Sequence, residues 1–185
     1  MRIYDTRIQL AVAVGRIVIG IIFLWAGLEK FIGSSGWSAA GFLAHGTAGT
    51  LGWPFVGADA QGPFNPTMDF WVDLSKNGGL MTIVNFLVVF GELGIGISLV
   101  LGLLTRFGAA MGTLMMLLFF VAAWDWAFGI VNQHLTYGVV TFGLAIVGAG
   151  NYFGLDAIVG PMFSPALRRW LFSGDAEPEP ASAMA

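Results

Sequence analysis

The chain has 185 residues, of which 57% are hydrophobic and only 10% charged, with a formal net charge of −3 and a mean hydropathy of +0.80. A soluble domain of this size has no use for so much apolar surface, and four runs reach the roughly 20 apolar residues that cross a bilayer, so a polytopic membrane protein is expected. Cysteine is absent and no basic patch is present, which excludes disulfides, thiolate metal sites and Cys-x-x-Cys-His haem attachment and gives no support to nucleic-acid binding.

Residues 1–7 form a short polar start with Arg2 and Arg7. The first span is expected over residues 8–32. Its start is positively charged, as in a signal peptide. The run is too long for one, holds Arg16 inside and lacks a small-x-small cleavage site, so it reads as a retained signal-anchor helix. At helical spacing Arg16, Gly20, Gly27 and Lys30 share one face, while Glu29 lies on another with Trp25 and Ile22.

Residues 33–77 are the one long connection. They carry Trp37, Phe42, Trp53, Phe55, Phe64, Phe70 and Trp71, with Pro54, Pro63 and Pro66. A flexible linker would be polar, so this segment is expected to fold onto the bilayer surface or the bundle mouth. Two short helices are expected, over residues 38–44 and 65–75, the second with Asn65 as N-cap and Pro66 at its first position.

The second span is expected over residues 79–104, with Glu92 about halfway along. A carboxylate at the centre of a span costs on the order of 3 kcal/mol, so Glu92 should face protein. Gly91, Gly94, Ser98 and Gly102 fall in one stripe and are expected to let a neighbouring helix approach. Glu92 is open to two readings, a satisfied structural ion or a functional group. After a short turn at Thr105-Arg106 the third span returns antiparallel over residues 107–126, closing on Trp124-Asp125-Trp126 at the interface level. The fourth is expected over residues 134–158, with His134, Gly138, Thr141, Ala145 and Gly148 on one face. Gly148-x-Gly150 is no Rossmann fingerprint, because the third glycine and the surrounding strands are missing.

Together these readings give an all-α integral membrane protein, a four-transmembrane-helix antiparallel bundle with an aromatic-rich extracytoplasmic loop. Residues 1–160 form a single membrane domain. Residues 161–185 are a juxtamembrane segment anchored by Arg168-Arg169-Trp170 and ending in a disordered acidic tail. The positive-inside rule places Arg2, Arg7, Arg106, Arg168 and Arg169, and hence both termini, in the cytoplasm.

Two sites follow. Arg16 and Glu92 lie at depths that differ by about 6 Å, and a buried ion pair between them is expected. The outer ends of spans one, three and four bring Glu29, Lys30, Asp125 and His134 to a similar depth, beside Trp25, Trp124 and Trp126. Such a region suits a quinone head-group or a small anion. His134 would be the proton partner, because its charge changes near neutral pH. Lys30 would be the carbonyl or anion contact, Asp125 or Glu29 the group that orients the imidazole, and the indoles the walls. A polar rim facing water is the alternative. No metal site or covalently bound cofactor is expected.

Three stretches resemble the DoxX/DoxD family of small four-helix membrane proteins. They are residues 16–31 (RIVIGIIFLWAGLEKF), residues 91–106 (GELGIGISLVLGLLTR) and residues 148–156 (GAGNYFGLD). The long aromatic loop looks more like the DoxD branch. The resemblance implies a membrane subunit associated with the quinone pool of a prokaryotic cell membrane. The DoxD branch is described as part of a thiosulfate:quinone oxidoreductase, alongside a separate DoxA subunit. Three functional readings stand side by side: a quinone-dependent oxidoreductase subunit acting on a small sulfur anion, a non-catalytic accessory subunit of a larger respiratory complex, and a small transporter using Arg16 and Glu92. The expected partners are the bilayer, a membrane protein or a second copy, quinone and a small anion.

Overall fold

The computed structural model describes residues 5–33, 36–52, 61–127 and 129–173. Arg2, Trp53, Pro54, Phe55 and the acidic tail after Ser173 lie outside the described residues.

Helix α1 (Thr6–Ile32) starts where the Asp5 side chain accepts from the Arg7 N–H and stops at Gly33. Helices α2 (Ala40–His45) and α3 (Met68–Ser75) lie in the long connection. Helix α4 (Gly78–Leu101) is started by the Asn77 side chain and ended by Gly102 at φ +66°, a conformation that glycine adopts without steric cost. Helix α5 (Thr105–Ala123) follows at once. Helix α6 (Gln133–Val147) is capped by Asn132 and ended by Gly148 at φ +65°. Short helices α7 (Asp156–Val159) and α8 (Pro165–Leu171) are the last among the described residues.

Helices α1, α4 and α5 are each long and apolar enough to cross a membrane, while α6 is a shorter apolar helix of 15 residues. The expected continuous run over 134–158 is broken, because the left-handed Gly148 turns the chain into a 3-10 segment, Ala149–Asn151. The turn expected at Thr105-Arg106 lies earlier, at residues 102–104, where Ser98 Oγ reaches the Leu103 carbonyl at 2.7 Å and tightens the reversal. The end of α5 also differs. Trp124 takes φ +45°, and Asp125–Trp126 forms a short parallel β pair with Thr50–Leu51. Asn65 is not the cap of α3, which starts three residues later. Its Nδ2 instead donates to the carbonyls of Val121 and Ala122, at 3.2 and 3.0 Å. These are orphan carbonyls of the last turn of α5, which need a donor.

Packing divides the helices into two pairs, α1 with α4 and α5 with α6. On α1 and α4 the close contacts are Gly20 against Leu99 and Val100, Gly96 against Leu24, and Gly27 against Leu93, with no room for a Cβ at any of the three glycines. Without a hydrophobic drive in lipid, such backbone proximity is what holds helices together. Of the stripe expected to do this on α4, Ser98 does meet a neighbouring helix, at Gly108 of α5, but Gly91 and Gly94 are corrected. Gly96 makes the α1 contact, whereas Gly94 faces open space and Gly91 meets only the Met115 methyl. Phe23, Ile95, Leu99, Ala109, Met116 and Leu144 fill the centre between the pairs. The seam between α4 and α5 is looser than either pair. It closes where Ser98 sits on Gly108.

Candidate functional site

The loose seam is a cleft of about 910 Å³ between α4 and α5. Its body is apolar, with Leu87, Val88, Gly91, Gly94, Met111 and Met115 among the walls. Leu87, Phe90, Leu114 and Leu118 at its mouth are exposed. Its polar end lies where α1 finishes and α6 begins, and there Lys30 and His134 both line it. Trp37 and Trp71 from the long connection close that end, held by a small cluster of Ala39, Leu43 and Met81.

Lys30 sits in the last turn of α1. Its Nζ donates to both carboxylate oxygens of Glu92, at 2.9 and 2.7 Å, and more loosely to the Ala26 carbonyl at 3.2 Å. The Trp37 ring centre lies 5.5 Å from the same nitrogen, within cation–π range. Glu92 is 3% exposed, so its charge is compensated by Lys30 rather than by solvent. The expected pairing of Glu92 with Arg16 is overturned by this contact. The reason is register. With Gly20 opposite Val100 and Gly27 opposite Leu93, each step forward on α1 is a step back on α4. Arg16 then falls past Leu101, the last residue of α4, and so more than about 14 Å along the axis from Glu92, whereas Lys30 falls level with Phe90, two residues from it.

His134 opens α6 and packs edge-on against Phe119, ring centres 5.9 Å apart. Its Nδ1 is buried and meets no hydrogen-bond partner among the described residues. Asp125 shares a smaller crevice of about 280 Å³ with His134. Its Oδ1 accepts from Thr50 Oγ1 and the Ala127 N–H, and among the described residues no hydrogen bond joins the carboxylate to the imidazole Nδ1. Glu29 and Trp25 point away from the cleft; Glu29 is exposed and Trp25 is 70% exposed. Trp124 and Trp126 stack on each other, 4.9 Å between centres, and do not line the cleft. Of the residues expected at this site, the structure therefore brings Lys30 and His134 to one cleft, leaves Asp125 beside it, and keeps Glu29 and the three indoles out. The aromatic loop was expected over the bundle mouth, and Trp37 and Trp71 from it do line the cleft; sequence reasoning missed Trp37 as the neighbour of Lys30 and Phe119 as the ring against His134. Nothing in the local pattern marks Phe119 for that contact, because it is set by the docking of α6 on α5. Among the described residues no group of three His, Asp or Glu side chains could hold a metal ion.

A second polar cluster lies at the opposite end of the helices. Arg16 is 1% exposed and donates from Nη2 to the Phe153 carbonyl at 3.2 Å. Gly102 and Gly154 lie flat against its guanidinium, with no space for a Cβ. Asp156, 2% exposed, accepts at Oδ1 from the Leu104 N–H (2.7 Å) and at Oδ2 from the Thr105 N–H (3.1 Å). The N–H and Oγ of Ser173 also donate to Oδ2, at 3.2 and 2.8 Å. One carboxylate thus caps α5 and ties down the segment after α8. It also holds the strained Leu104, at φ +53°, a conformation that costs a side-chain-bearing residue about 1–3 kcal/mol; Phe153, at φ +54°, is held instead through its carbonyl by Arg16. The glycine-rich stretch before Asp156 is accordingly structural, with Gly150 leaving room for the Asp156 carboxylate and Gly154 for Arg16.

Comparison with known proteins adds one positive finding. The family model described as DoxX matches residues 11–125, a stretch that includes Arg16, Lys30 and Glu92 and stops short of His134 and Asp156. No curated protein and no solved structure matches the chain.

Proposed function

Because this chain belongs to the DoxX family of membrane proteins, we propose that it is a quinone-pool subunit whose α4–α5 cleft seats a quinone head-group between Lys30 and His134. The observation that carries this reading is a polar end on an apolar cleft that faces lipid. A membrane-dissolved redox carrier has the same division, a small head with carbonyls on an apolar body. Lys30 would contact one carbonyl. Its bond to the Ala26 oxygen is its weakest, and that oxygen keeps its helical partner if the ligand replaces it. His134 would supply the proton partner, its unpartnered Nδ1 gaining a hydrogen bond on binding. Glu92 holds the ammonium in place. Glu92 also cancels its charge, so the cleft suits a neutral carbonyl better than a bare anion. Oxidation of a small sulfur anion such as thiosulfate would then fall to a partner subunit, which delivers the two electrons.

In this proposal α6 and the segment after it complete a fourth crossing of one membrane domain over residues 1–160. Both termini face the cytoplasm of a prokaryotic cell, where Arg7, Arg106, Arg168 and Arg169 gather, and the aromatic loop covers the outer mouth. The test is His134→Ala in lipid nanodiscs. A lost hydrogen bond of about 1.4 kcal/mol lowers quinone affinity roughly tenfold. Unchanged quinone retention by a folded variant would remove His134 from the site and favour the non-catalytic accessory reading.

A further inference from the structure

Resting on the quinone reading, we infer that the open stretch of the α4–α5 cleft is the bed of the ligand's single polyprenyl tail, entered sideways from the bilayer. Five features of the cleft carry this. It runs along α4 from Val84 to Ser98, roughly 20 Å at helical rise, far longer than a head-group needs. Apart from Ser98, its polar side chains Lys30, Gln133 and His134 sit at one end. The other end is closed, where Ser98 Oγ lies against Gly108 and is already committed to the Leu103 carbonyl. Its floor is glycine, with Gly94 facing open space and the Met115 methyl resting beside it on Gly91. The exposed Leu87, Leu114 and Leu118 at its mouth make the long side, not the end, the way in. The small residues of α4 thus divide by direction. Gly96 brings α1 close, and Gly94 keeps a narrow furrow clear on the other side of the helix.

A tail already dissolved in lipid gains little hydrophobic free energy by lying in such a furrow. The bed therefore acts by admission. A head-group reaches Lys30 and His134 only if its own tail has somewhere to lie.

Gly94→Leu tests this. The new side chain enters open space, and leucine is the better helix former, so melting temperature should be held or raised. Wild type and variant are loaded in nanodiscs with a long-tailed benzoquinone and, separately, with the same head-group lacking a tail. The expected result is at least about a tenfold loss of long-tailed quinone with tail-less binding within about twofold of wild type. Equal retention of the long-tailed quinone overturns the tail bed while leaving the head-group site intact. A variant that loses both probes equally also overturns it, because the effect is then not on the tail. A wild type that retains neither probe overturns the head-group site and the tail bed together. Native mass spectrometry showing that Gly94→Leu displaces a two-chain phospholipid, and not quinone, assigns the cleft to structural lipid instead.

Discussion

Glu92→Ala should give a protein that inserts poorly and melts far below wild type, while Glu92→Ala combined with Lys30→Ala recovers much of the loss. The single change strands the Lys30 ammonium, whose side chain is only 21% exposed, beside a cavity where both acceptor oxygens used to be. Removing one member of a buried pair costs about 3–5 kcal/mol, mostly because the other charge is left without compensation. Removing both leaves an apolar gap that lipid or neighbouring side chains relieve. Thermal unfolding followed by tryptophan fluorescence in one detergent checks the order: wild type, then the double variant, then the single. The companion variant Arg16→Ala should not rescue Glu92→Ala, because Arg16 belongs to the other end of the helices. A rescue by Arg16→Ala instead of Lys30→Ala would contradict the α1–α4 register.

A loss of similar size is expected for Asp156→Ala. Four donors lose their acceptor at once, two at the start of α5 and two on Ser173. A buried donor left unsatisfied costs about 1–3 kcal/mol. The strained Leu104, at φ +53°, then loses the acceptor of its N–H and keeps only the bonds to its carbonyl, from Ser98 Oγ and the Gly108 N–H. About 3–5 kcal/mol in total is the expected loss, with Asp156→Asn intermediate because an amide keeps one acceptor. Limited proteolysis gives the structural signature. The segment 160–173 should become cleavable in Asp156→Ala, because Ser173 loses its anchor while the α1–α4 contact stays intact. An Asp156→Ala protein with wild-type melting and an intact C-terminal segment would show that the carboxylate is not the tie between α5 and α8.

How much of this could be read beforehand differs by element. The apolar runs that became α1, α4 and α5 were legible from length and hydropathy alone. So was the inward face of α1, since Gly20 and Gly27 are buried against α4 and Arg16 lies on the same side. Lys30 and His134 were brought together on depth alone, as the ends of two helices on one side of the membrane. The facing of α4 was not legible. A helix that is apolar all round carries little signal for which stripe is inside. Two sets of small residues compete on α4, and only the register against α1 selects Gly96. The partner of Glu92 depended on that same register, so the error over Arg16 and the error over the glycine stripe have one cause. Asp156 was visible in the sequence as the end of a glycine-rich motif. Its role needed the chain reversal after Gly148, which a purely helical reading of residues 134–158 erased.

Quinone binding in the α4–α5 cleft is tested most directly by mapping where quinone lies. A photoreactive long-tailed quinone is added to the protein in nanodiscs, irradiated, and the labelled peptides are sequenced by mass spectrometry. Label is expected on the cleft walls, on the α4 stretch around Gly91 and Gly94, on α5 around Met111 and Met115, and at His134, all competed away by unlabelled quinone. Label confined to the outward faces of α1 and α6, at exposed residues such as Val18, Trp25, Val139 and Phe142, or label that unlabelled quinone does not displace, would contradict binding in the cleft.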